Sequence, residues 1–344
     1  MDGPYFPSEI AAYTTTHWHH FRWFLRRCRT RLARKSSLIL FALLLALFWA
    51  SLYVSTLQAV DTDYDGVGLI SALHHPRLER FVHPEDSFTI VMETYKRTDI
   101  LLKLLRHYQL VPRLKQIVVV WNNVGERPPS QMWESGAGPH RVPVFFKEQT
   151  RNLVRNRMLP FPEIDTEAVL MLDDDLLISV PDITFAFSVW KRFSDQIVGF
   201  VPRKHETRTS GAYKYSVKAG GDFSSYSMVL VGAAFFHRRY LQVFQDQPRQ
   251  VHALVDKTQN CDDIAMNFAV ALWLAEQDGW KARPSGVLVK PAVAMQNLEE
   301  QARSGFMGLW RRPFHKRQRS YCLNRLSKIY GDMPLLYSKL IITR

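Results

Sequence analysis

The chain has 344 residues, of which 47% are hydrophobic and 22% charged, and its 45 Lys and Arg exceed its 32 Asp and Glu, giving a formal net charge of +13. This length holds one large α/β domain or two small ones, the apolar content is ample for a buried core, and the absence of internal repeats excludes a repeat architecture. The basic charge alone still allows nucleic acid, an anionic membrane or a polyanionic sugar as a partner.

The first predicted element is a membrane-spanning helix at residues 37–57. This stretch carries no charged side chain, and about 20 such residues cross a bilayer. Seven Lys and Arg precede it, whereas Asp61, Asp63 and Asp65 follow it, so the positive-inside rule leaves the N-terminus in the cytosol. The run is too long for a cleaved signal peptide, and a buried core helix is the alternative. We therefore predict a single-pass type II membrane protein, an orientation that argues against nucleic acid as a partner.

The sequence divides into a basic tail, the membrane helix, a polar stem and a luminal globular part. The predicted bounds of these four parts are 1–36, 37–57, 58–86 and 87–344. The three cysteines follow this division. Cys28 lies in the cytosolic tail, whereas Cys261 and Cys322 lie in the luminal part, where an oxidising environment favours a bridge between them. The alternative is a pair of buried free thiols.

The globular part alternates strand and helix patterns, which predicts an α/β fold with a mostly parallel sheet flanked by helices. Strands are predicted at Phe88–Met92, Ile117–Trp121, Val142–Phe146, Ala168–Leu172 and Ile197–Val201. Helices are predicted from Thr98 or Asp99 to Gln109, from Asp182 to Phe193, and from Asp262 or Asp263 to Leu274. Three other segments are predicted as an active-site lid, a buried apolar run and a mobile basic loop: 203–226, Met228–Phe236 and 301–319.

Polar residues follow each of the first four strands, and in a parallel sheet such carboxyl ends gather along one edge. We therefore expect convergence of Arg97, Asn122, Asn152, Arg155, Arg157 and the triplet Asp173, Asp174 and Asp175. Arginine and amide groups suit a nucleotide, and three adjacent carboxylates suit a hard divalent cation that brings phosphates with it. The alternatives are surface ion pairs for the arginines, turn caps for the asparagines and a solvated acidic turn for the triplet.

A second acidic site lies at Asn260–Asn267, which begins Asn-Cys-Asp-Asp. One of Asp262 and Asp263 is expected to cap the helix, and the other to face a reacting sugar. A carboxylate beside an anomeric carbon stabilises an oxocarbenium-like transition state or acts as a nucleophile. Arg319 lies three residues before Cys322, so a bridge would hold it at the same place, where it suits a leaving diphosphate.

Six motifs occur in order along the globular part. They are Thr94-Tyr-x-Arg-Thr-Asp99, Val118-Val-Val-Trp-Asn-Asn123, Leu172-Asp-Asp-Asp175, Ile197-Val-Gly-Phe-Val-Pro-Arg-Lys-His205, Asn260-Cys-Asp-Asp-Ile-Ala-Met-Asn267 and Gln318-Arg-Ser-Tyr-Cys322. With these motifs, residues from about 86 to 343 resemble the exostosin-like glycosyltransferases, glycosyltransferase family 64. Several long motifs in the right order are far more specific than a lone Asp-x-Asp.

The resemblance implies a GT-A type fold, with a nucleotide-binding half at about 87–180 and an acceptor-binding half at about 181–344. It implies a UDP-N-acetylhexosamine donor, Mn2+ as the metal and retention of the anomeric configuration. The implied acceptor is a glycosaminoglycan linkage region that ends in glucuronic acid, and the implied location is the ER or Golgi membrane. The oligomeric state is left open between a monomer and a homodimer.

The resemblance also assigns roles residue by residue. It implies nucleotide-sugar contacts for Glu93, Arg97, Asn122, Asn152, Arg157, Asp173 and Asp174. It implies that Asp175 is the metal ligand, Asp263 the catalytic carboxylate and Arg319 the diphosphate-binding arginine. It also implies a disulfide between Cys261 and Cys322. Two departures stand out, because the family is expected to carry Gln at the position of Glu93, and the lid at 206–226 is shorter than expected.

Two alternative functions follow from the same residues. One is a GDP-mannose-dependent sphingolipid mannosyltransferase of the same family, which shares the core motifs. The other is a non-catalytic luminal polyanion-binding membrane protein, in which Glu93 marks a decayed donor site and the basic segment around Trp310 binds the polyanion.

Overall fold

The structure is a computed structural model that describes residues 86–129, 142–217, 225–279, 283–305 and 308–344. The predicted tail, the predicted membrane helix and the stem up to residue 85 lie outside the described residues. Within the described ranges, none of the helices has both the length and the apolar character that a bilayer crossing requires.

The chain folds into alternating strands and helices. The strands are β1 (Phe88–Thr94), β2 (Leu114–Trp121), β3 (Val144–Glu148), β4 (Ala168–Asp173), β5 (Leu176–Leu177), β6 (Ile197–Gly199), β7 (Pro202–Thr207), β8 (Tyr213–Ser216), β9 (Met228–Val229), β10 (Ala233–His237), β11 (Gly286–Lys290), β12 (Gln296–Asn297) and β13 (Ile341–Thr343). The helices are α1 (Thr98–Tyr108), α2 (Val180–Trp190), α3 (Arg239–Gln245), α4 (Arg249–Thr258), α5 (Asp262–Gln277) and α6 (His315–Tyr330). Short 3-10 helices lie at Val154–Met158, Glu299–Gln301 and Leu309–Arg311.

The central sheet has eight strands in the order β13-β11-β6-β10-β4-β1-β2-β3. Strands β4, β1, β2 and β3 run parallel to one another, as do β6, β11 and β13. Strand β10 runs antiparallel to both of its neighbours, β4 and β6. The prediction of a mostly parallel sheet is therefore confirmed, and the carboxyl ends of β1, β2, β3 and β4 lie along one edge.

The sheet separates two apolar cores because successive side chains of a strand point to opposite faces. Val91 of β1 belongs to the same core as α3, α4, α5 and α6, whereas its neighbours Ile90 and Met92 belong to the core of α1 and α2. Helices thus cover both faces of the sheet. This arrangement explains why β1, β2 and β4 read as nearly continuous apolar runs rather than as alternating ones.

The predicted lid at 203–226 is not simply a loop. Its first part forms the antiparallel hairpin of β7 and β8, and residues 218–224 lie outside the described residues. The outer edge of β8 is bonded by side chains of α6. Tyr213 N donates to Asn324 Oδ1 at 2.9 Å, Asn324 Nδ2 donates to Tyr213 O at 2.7 Å, and Tyr215 N donates to Ser320 Oγ at 2.9 Å. Side chains of α6, which is distant in the sequence, therefore bond the free backbone groups of this edge strand.

The prediction of a loop over 301–319 is wrong for its last residues, because α6 begins at His315. The first turns of α6 are basic and lack an apolar stripe, so the sequence signal of an amphipathic helix is absent there. The buried residues of α6 are Arg319, Cys322, Leu323 and Leu326. The apolar run Met228–Phe236 is buried as predicted and contributes to β9 and β10.

Candidate active site

Nine charged residues form a connected site at the carboxyl edge of β1 and β4, against the beginning of α5 and the second turn of α6. They are Glu93, Arg97, Arg157, Asp173, Asp174, Asp175, Asp262, Asp263 and Arg319. Eight of them were expected from the sequence to act on a substrate or a metal, and Asp262 was left as one of two candidates. The structure therefore brings together the residues of both acidic motifs.

Arg157 links the two acidic motifs. Its Nε and NH2 atoms donate to Asp262 Oδ2 at 2.8 and 2.5 Å, and its NH1 atom donates to Asp173 Oδ1 at 2.7 Å. Burial opposes its charge, but Asp262, Asp173 and Glu93 together raise the pKa of Arg157 well above its ordinary value. This arginine thus stays charged and holds the end of β4 to the start of α5.

Asp173 also fits tightly against the next strand of the sheet. A Cβ atom added to Gly232 would lie 2.3 Å from Asp173 Oδ1, and Asp173 N donates to Gly232 O at 2.8 Å. Only glycine at position 232 leaves room for this carboxylate. This role of Gly232 was not recognised from the sequence.

Arg97 bridges the other two aspartates of the triplet. Its NH2 atom lies 2.5 Å from Asp174 Oδ1, and its NH1 atom lies 2.6 Å from Asp175 Oδ2. The backbone of Lys96 adopts a left-handed conformation (φ 57°), and its N–H donates to Asn123 Oδ1 at 2.6 Å. This local bond between the ends of β1 and β2 turns the chain so that Arg97 faces the triplet.

Burial raises the pKa of Asp174 to about 7, although Arg97 opposes the shift. Asp174 Oδ2 is buried and has no hydrogen-bond partner within the described part of the chain. Arg97 therefore compensates the negative charge of Asp174 only in part, and the Oδ2 atom of Asp174 has no hydrogen-bond donor in the described structure.

Glu93 lies between Asn122 and Arg157. Asn122 Nδ2 donates to Glu93 Oε1, and Arg157 Nε lies 3.9 Å from Glu93 Oε2. Burial raises the pKa of Glu93 well above its ordinary value of 4.5, because Arg157 is shared with Asp173 and Asp262 and compensates only in part. The neutral carboxyl group is thus favoured, and like an amide it offers one donor and one acceptor.

Asp263 and Arg319 form a buried ion pair at the start of α5. Arg319 NH2 donates to Asp263 Oδ2 at 2.8 Å, and Asp263 Oδ1 accepts from Ile264 N at 2.8 Å. Although burial favours the neutral acid, Arg319 and then Arg157 lower the pKa of Asp263, so it remains a carboxylate. Neither aspartate is the N-cap residue of α5, which is Cys261 and makes no side-chain capping bond, although Asp263 does accept the N–H of Ile264 in the first turn.

The Cys261–Cys322 disulfide is formed, which confirms the predicted pairing. Cys261 lies two residues before Asp263, and Cys322 lies three residues after Arg319. The cross-link therefore fixes both chain segments that supply the buried ion pair.

Two residues that sequence reasoning missed hold Arg319 in place. Its Nε atom donates to His315 Nε2 at 3.0 Å, its NH1 atom donates to Tyr215 OH at 3.2 Å, and its guanidinium lies 5.1 Å from the Tyr215 ring centre. Burial, and then Arg319, lower the pKa of His315 to about 4, so its Nε2 atom is free to accept. The spacing of His315 and Arg319 by four residues was a usable helix signal, whereas Tyr215 comes from the distant β8.

One residue expected to converge, Arg155, does not do so, and Asn152 is exposed. Arg155 Nε instead donates to Asp256 Oδ1 of α4 at 2.5 Å, which is the ion-pair alternative. Asn152 lies exposed on the segment that leads into the 3-10 helix at Val154–Met158. Asn156 was missed, although it is buried and its Nδ2 atom donates to Asn122 Oδ1 at 2.8 Å.

The comparison with known families places this site in an enzyme class. Residues 88–344 match the model described as "Glycosyl transferase family 64 domain", so the protein is a glycosyltransferase. Exostosin-like 2 of Homo sapiens is 55% identical over 264 residues, which cover 75% of this chain and 77% of that protein. The chain belongs to glycosyltransferase family 64, and the resemblance seen in the sequence motifs is confirmed.

Other similar proteins differ in what their names state. Exostosin-2 of Homo sapiens is 33% identical over 253 residues, which cover 72% of this chain and 33% of that longer protein. Glycosylinositol phosphorylceramide mannosyl transferase 1 of Arabidopsis thaliana is 30% identical over 277 residues, 76% of this chain and 78% of that protein. Among solved structures, GalNAc-T7 with UDP, GalNAc and Mn2+ is 9% identical with a TM-score of 0.37, covering 46% of this chain and 36% of its own.

Replacing Glu93 by Gln should stabilise the protein increasingly as the pH rises. The folded state holds a proton on Glu93 that the unfolded state releases near pH 4.5, so wild-type stability falls as the pH rises from that value toward the raised pKa. The loss is about 1.4 kcal/mol for each pH unit within that window. Melting temperatures of Glu93→Gln and wild type, compared between about pH 5 and about pH 8, measure the widening difference.

Glu163→Gln is the matched control for this titration. Lys147 lowers the pKa of Glu163, so the wild type gains stability from this carboxylate as the pH rises through the acidic range. The control variant lacks that gain and should therefore become less stable relative to wild type as the pH rises. A difference between Glu93→Gln and wild type that does not change with pH would contradict the neutral state of Glu93.

Replacing Tyr215 by Phe should slow sugar transfer while leaving the fold intact. The variant keeps the ring beside Arg319 and loses the hydroxyl that accepts from its NH1 atom. A hydrogen bond to a charged group is worth about 1.5–3 kcal/mol, so kcat should fall by at least about tenfold with little change in the donor KM. Tyr213→Phe, in the same hairpin, is the control and should keep the wild-type kcat. Equal effects of the two substitutions would show that only hairpin packing matters.

Proposed function

We propose that this glycosyltransferase transfers N-acetylhexosamine, with retention, from a UDP-sugar to a glycan acceptor that ends in glucuronic acid. The observation that carries the proposal is the buried pair of Asp263 and Arg319 next to Asp262, which Arg157 connects to Asp173 of the aspartate triplet. A carboxylate for the reacting sugar and a cation for its leaving group thus lie beside residues suited to a nucleotide diphosphate. The proposed fold is of the GT-A type, which the mostly parallel sheet with its reversed strand β10 supports.

The donor-binding residues proposed from the family are Arg97, Asn122, Asn152, Arg157, Asp173 and Asp174, together with Glu93. Asn122 is buried at the end of β2, where Asn156 fixes its side chain. A neutral Glu93 removes the repulsion that a carboxylate would exert on a diphosphate, which supports a working donor site. Asn152 would contact the donor from the exposed rim of the site.

Mn2+ is the proposed metal, with Asp175 as its ligand from the protein. The residues fit a hard cation, since Asp175 offers carboxylate oxygens and the buried Oδ2 atom of its neighbour Asp174 lacks a hydrogen-bond partner in the described structure. Arg97 supplies positive charge to Asp174 and Asp175. No group of three or more His, Cys, Asp or Glu side chains able to hold a metal occurs among the described residues, so diphosphate oxygens and water would complete the coordination. Bound there, the cation would neutralise the diphosphate.

Asp263 and Arg319 are the proposed reactive pair. Asp263 would stabilise positive charge that develops at the anomeric carbon as its bond to the diphosphate oxygen breaks. Arg319 would hold the departing diphosphate, and Tyr215 and His315 keep its guanidinium oriented. The new bond joins the acceptor hydroxyl oxygen to the anomeric carbon, and the departing diphosphate takes up the hydroxyl proton. Both a covalent intermediate on Asp263 and a same-face ion pair give retention.

The disulfide supports a luminal location, because such bonds persist in oxidising compartments. We therefore keep the proposal of a type II protein of the ER or Golgi membrane. A GDP-mannose-dependent transferase is the second candidate, and the likeness to the Arabidopsis mannosyl transferase favours it. The alternative of a non-catalytic polyanion receptor is not retained, because the chain is a glycosyltransferase.

Thermal melts of the full-length protein with sugar nucleotides test the donor. UDP-GlcNAc or UDP-GalNAc with Mn2+ should raise the melting temperature, with about 2.7 kcal/mol of stabilisation when the ligand is at 100 times its Kd. GDP-mannose should leave it unchanged. Stabilisation by GDP-mannose alone would reject the UDP-sugar donor in favour of the second candidate. In this assay Asp175→Asn should lose the Mn2+-dependent part of the shift.

Replacing Asp263 by Asn should reduce transfer by on the order of 10²–10³-fold while donor binding persists. The amide keeps the shape and one acceptor for Arg319 but removes the negative charge. Asp256→Asn is the control, because it removes the charge of a half-buried ion pair, that of Asp256 with Arg155, which does not include Asp263. The melt with donor shows whether the variant still binds, and transfer at the wild-type rate by Asp263→Asn would reject the catalytic assignment.

A further inference from the structure

The positive charge of the globular part is concentrated near its C-terminus. Residues 308–344 contain nine Lys and Arg but a single acidic residue, Asp332. Five of the nine belong to α6, which carries neither Asp nor Glu. Within α6, only Arg319 points into the active site, so the remaining basic residues need another explanation.

Four residues of α6 form a stripe on its exposed face, which we call the outer stripe: Arg317, Tyr321, Arg325 and Lys328. Their spacing of four, four and three residues places them on one side of the helix, opposite Arg319. All four are exposed, and Tyr321 retains 48% of its accessible surface. The stripe is about 16 Å long, since each helical residue adds about 1.5 Å.

The basic residues of the outer stripe have no acidic partner in the described structure. The ion pairs of residues 308–344 are those of Arg311 with Glu299 and Glu300 and of Arg319 with Asp263. Elsewhere, exposed basic residues such as Arg113 and Lys115 do pair with aspartates. Arg325 and Lys328 lie one turn apart and repel each other, a repulsion that an anionic ligand would offset.

We propose that the outer stripe binds an acidic glycan, namely the part of the acceptor beyond the sugar that receives the transfer. The guanidinium groups of Arg317 and Arg325 match carboxylate or sulfate oxygens in a bidentate way. Tyr321 lies between them, and its ring offers a flat face to the C–H face of a sugar. This inference rests on the proposed function in one respect, which is the acidic glycan acceptor.

The position of α6 supports this ligand. Its inner face supplies Arg319 to the active site, and Arg312 and Phe314, just before its first turn, are exposed. Phe314 retains 74% of its accessible surface. A long acceptor with its end at Asp263 would thus meet exposed basic and aromatic residues on the helix that supplies Arg319.

An anionic membrane is a poorer match for the outer stripe. The leaflet with strong negative potential is the cytoplasmic one, whereas the globular part is predicted on the opposite side. Helices that lie on a membrane also insert an apolar face, and the apolar residues of α6, Leu323 and Leu326, are already buried in the core.

The test compares two variants of the full-length protein that each lose two positive charges. Arg317→Gln/Arg325→Gln removes the stripe arginines, and Arg106→Gln/Lys290→Gln removes two exposed basic residues elsewhere. Binding of a long uronate-rich sulfated glycan should weaken by about tenfold in the first variant and stay near wild type in the second. The salt dependence of that binding should become less steep in the first variant only.

Enzyme assays supply the second readout. For a long acidic acceptor, the KM of the stripe variant should rise by about tenfold at unchanged kcat, and Arg317→Lys/Arg325→Lys should recover part of it. For a short acceptor that ends at the same sugar, both variants should match wild type. No transfer by wild type to either acceptor would refute the proposed function, while glycan binding would still test the stripe.

Three outcomes would overturn the stripe assignment. Equal weakening in both variants would show only an effect of net charge. Wild-type glycan binding by the stripe variant would place the ligand elsewhere. Stripe-dependent binding to anionic lipid vesicles, without binding to the glycan, would assign the surface to a membrane.

Discussion

The buried guanidinium of Arg157 is the interaction on which the site depends. It joins Asp173 at the end of β4 to Asp262 at the start of α5, two elements that are 89 residues apart in the chain. Removing Asp262, the buried partner of Arg157, would cost about 3–5 kcal/mol, because the charge of the guanidinium is then left poorly compensated. Since Asp263 and the aspartate triplet adjoin these partners, the bonds of Arg157 also set how far the proposed reactive carboxylate lies from the proposed metal ligand.

The balance of charge around Arg157 supports the proposed divalent cation. Six carboxyl groups face three arginines, and burial raises the pKa of Glu93, Asp174 and Asp262. A nucleotide diphosphate would add further negative charge. It can enter at low electrostatic cost only with a divalent cation, or with protons retained on carboxyl groups such as Glu93. The Gln-to-Glu departure at position 93 is therefore compatible with donor binding, since burial produces a neutral group there.

The sequence predicted the sheet edge better than it predicted which side chains face it. Apolar runs predicted β1, β2 and β4. Because the carboxyl ends of parallel strands lie along one edge of a sheet, Asn122 and the aspartate triplet were predicted at the same edge. Arg155 and Arg157 looked equivalent, yet they lie on a 3-10 helix with about three residues per turn, so Arg157 shares a face with buried Val154 and Arg155 does not. Local sequence patterns could not predict the β7–β8 hairpin or the start of α6. The bonds between Tyr213 and Asn324 that hold them together join segments 111 residues apart.

The disulfide couples this chemistry to its compartment. Cys261 and Cys322 close a separation of 61 residues, which in the chain-entropy model stabilises the fold by about 4 kcal/mol. The cross-link adjoins both Asp263 and Arg319, whose burial as an ion pair requires close, fixed geometry to offset desolvation. Without it, the start of α5 and the second turn of α6 would be held by packing and by the pair itself. In the proposed oxidising lumen, this disulfide would form and would supply the covalent constraint that keeps the proposed reactive pair assembled.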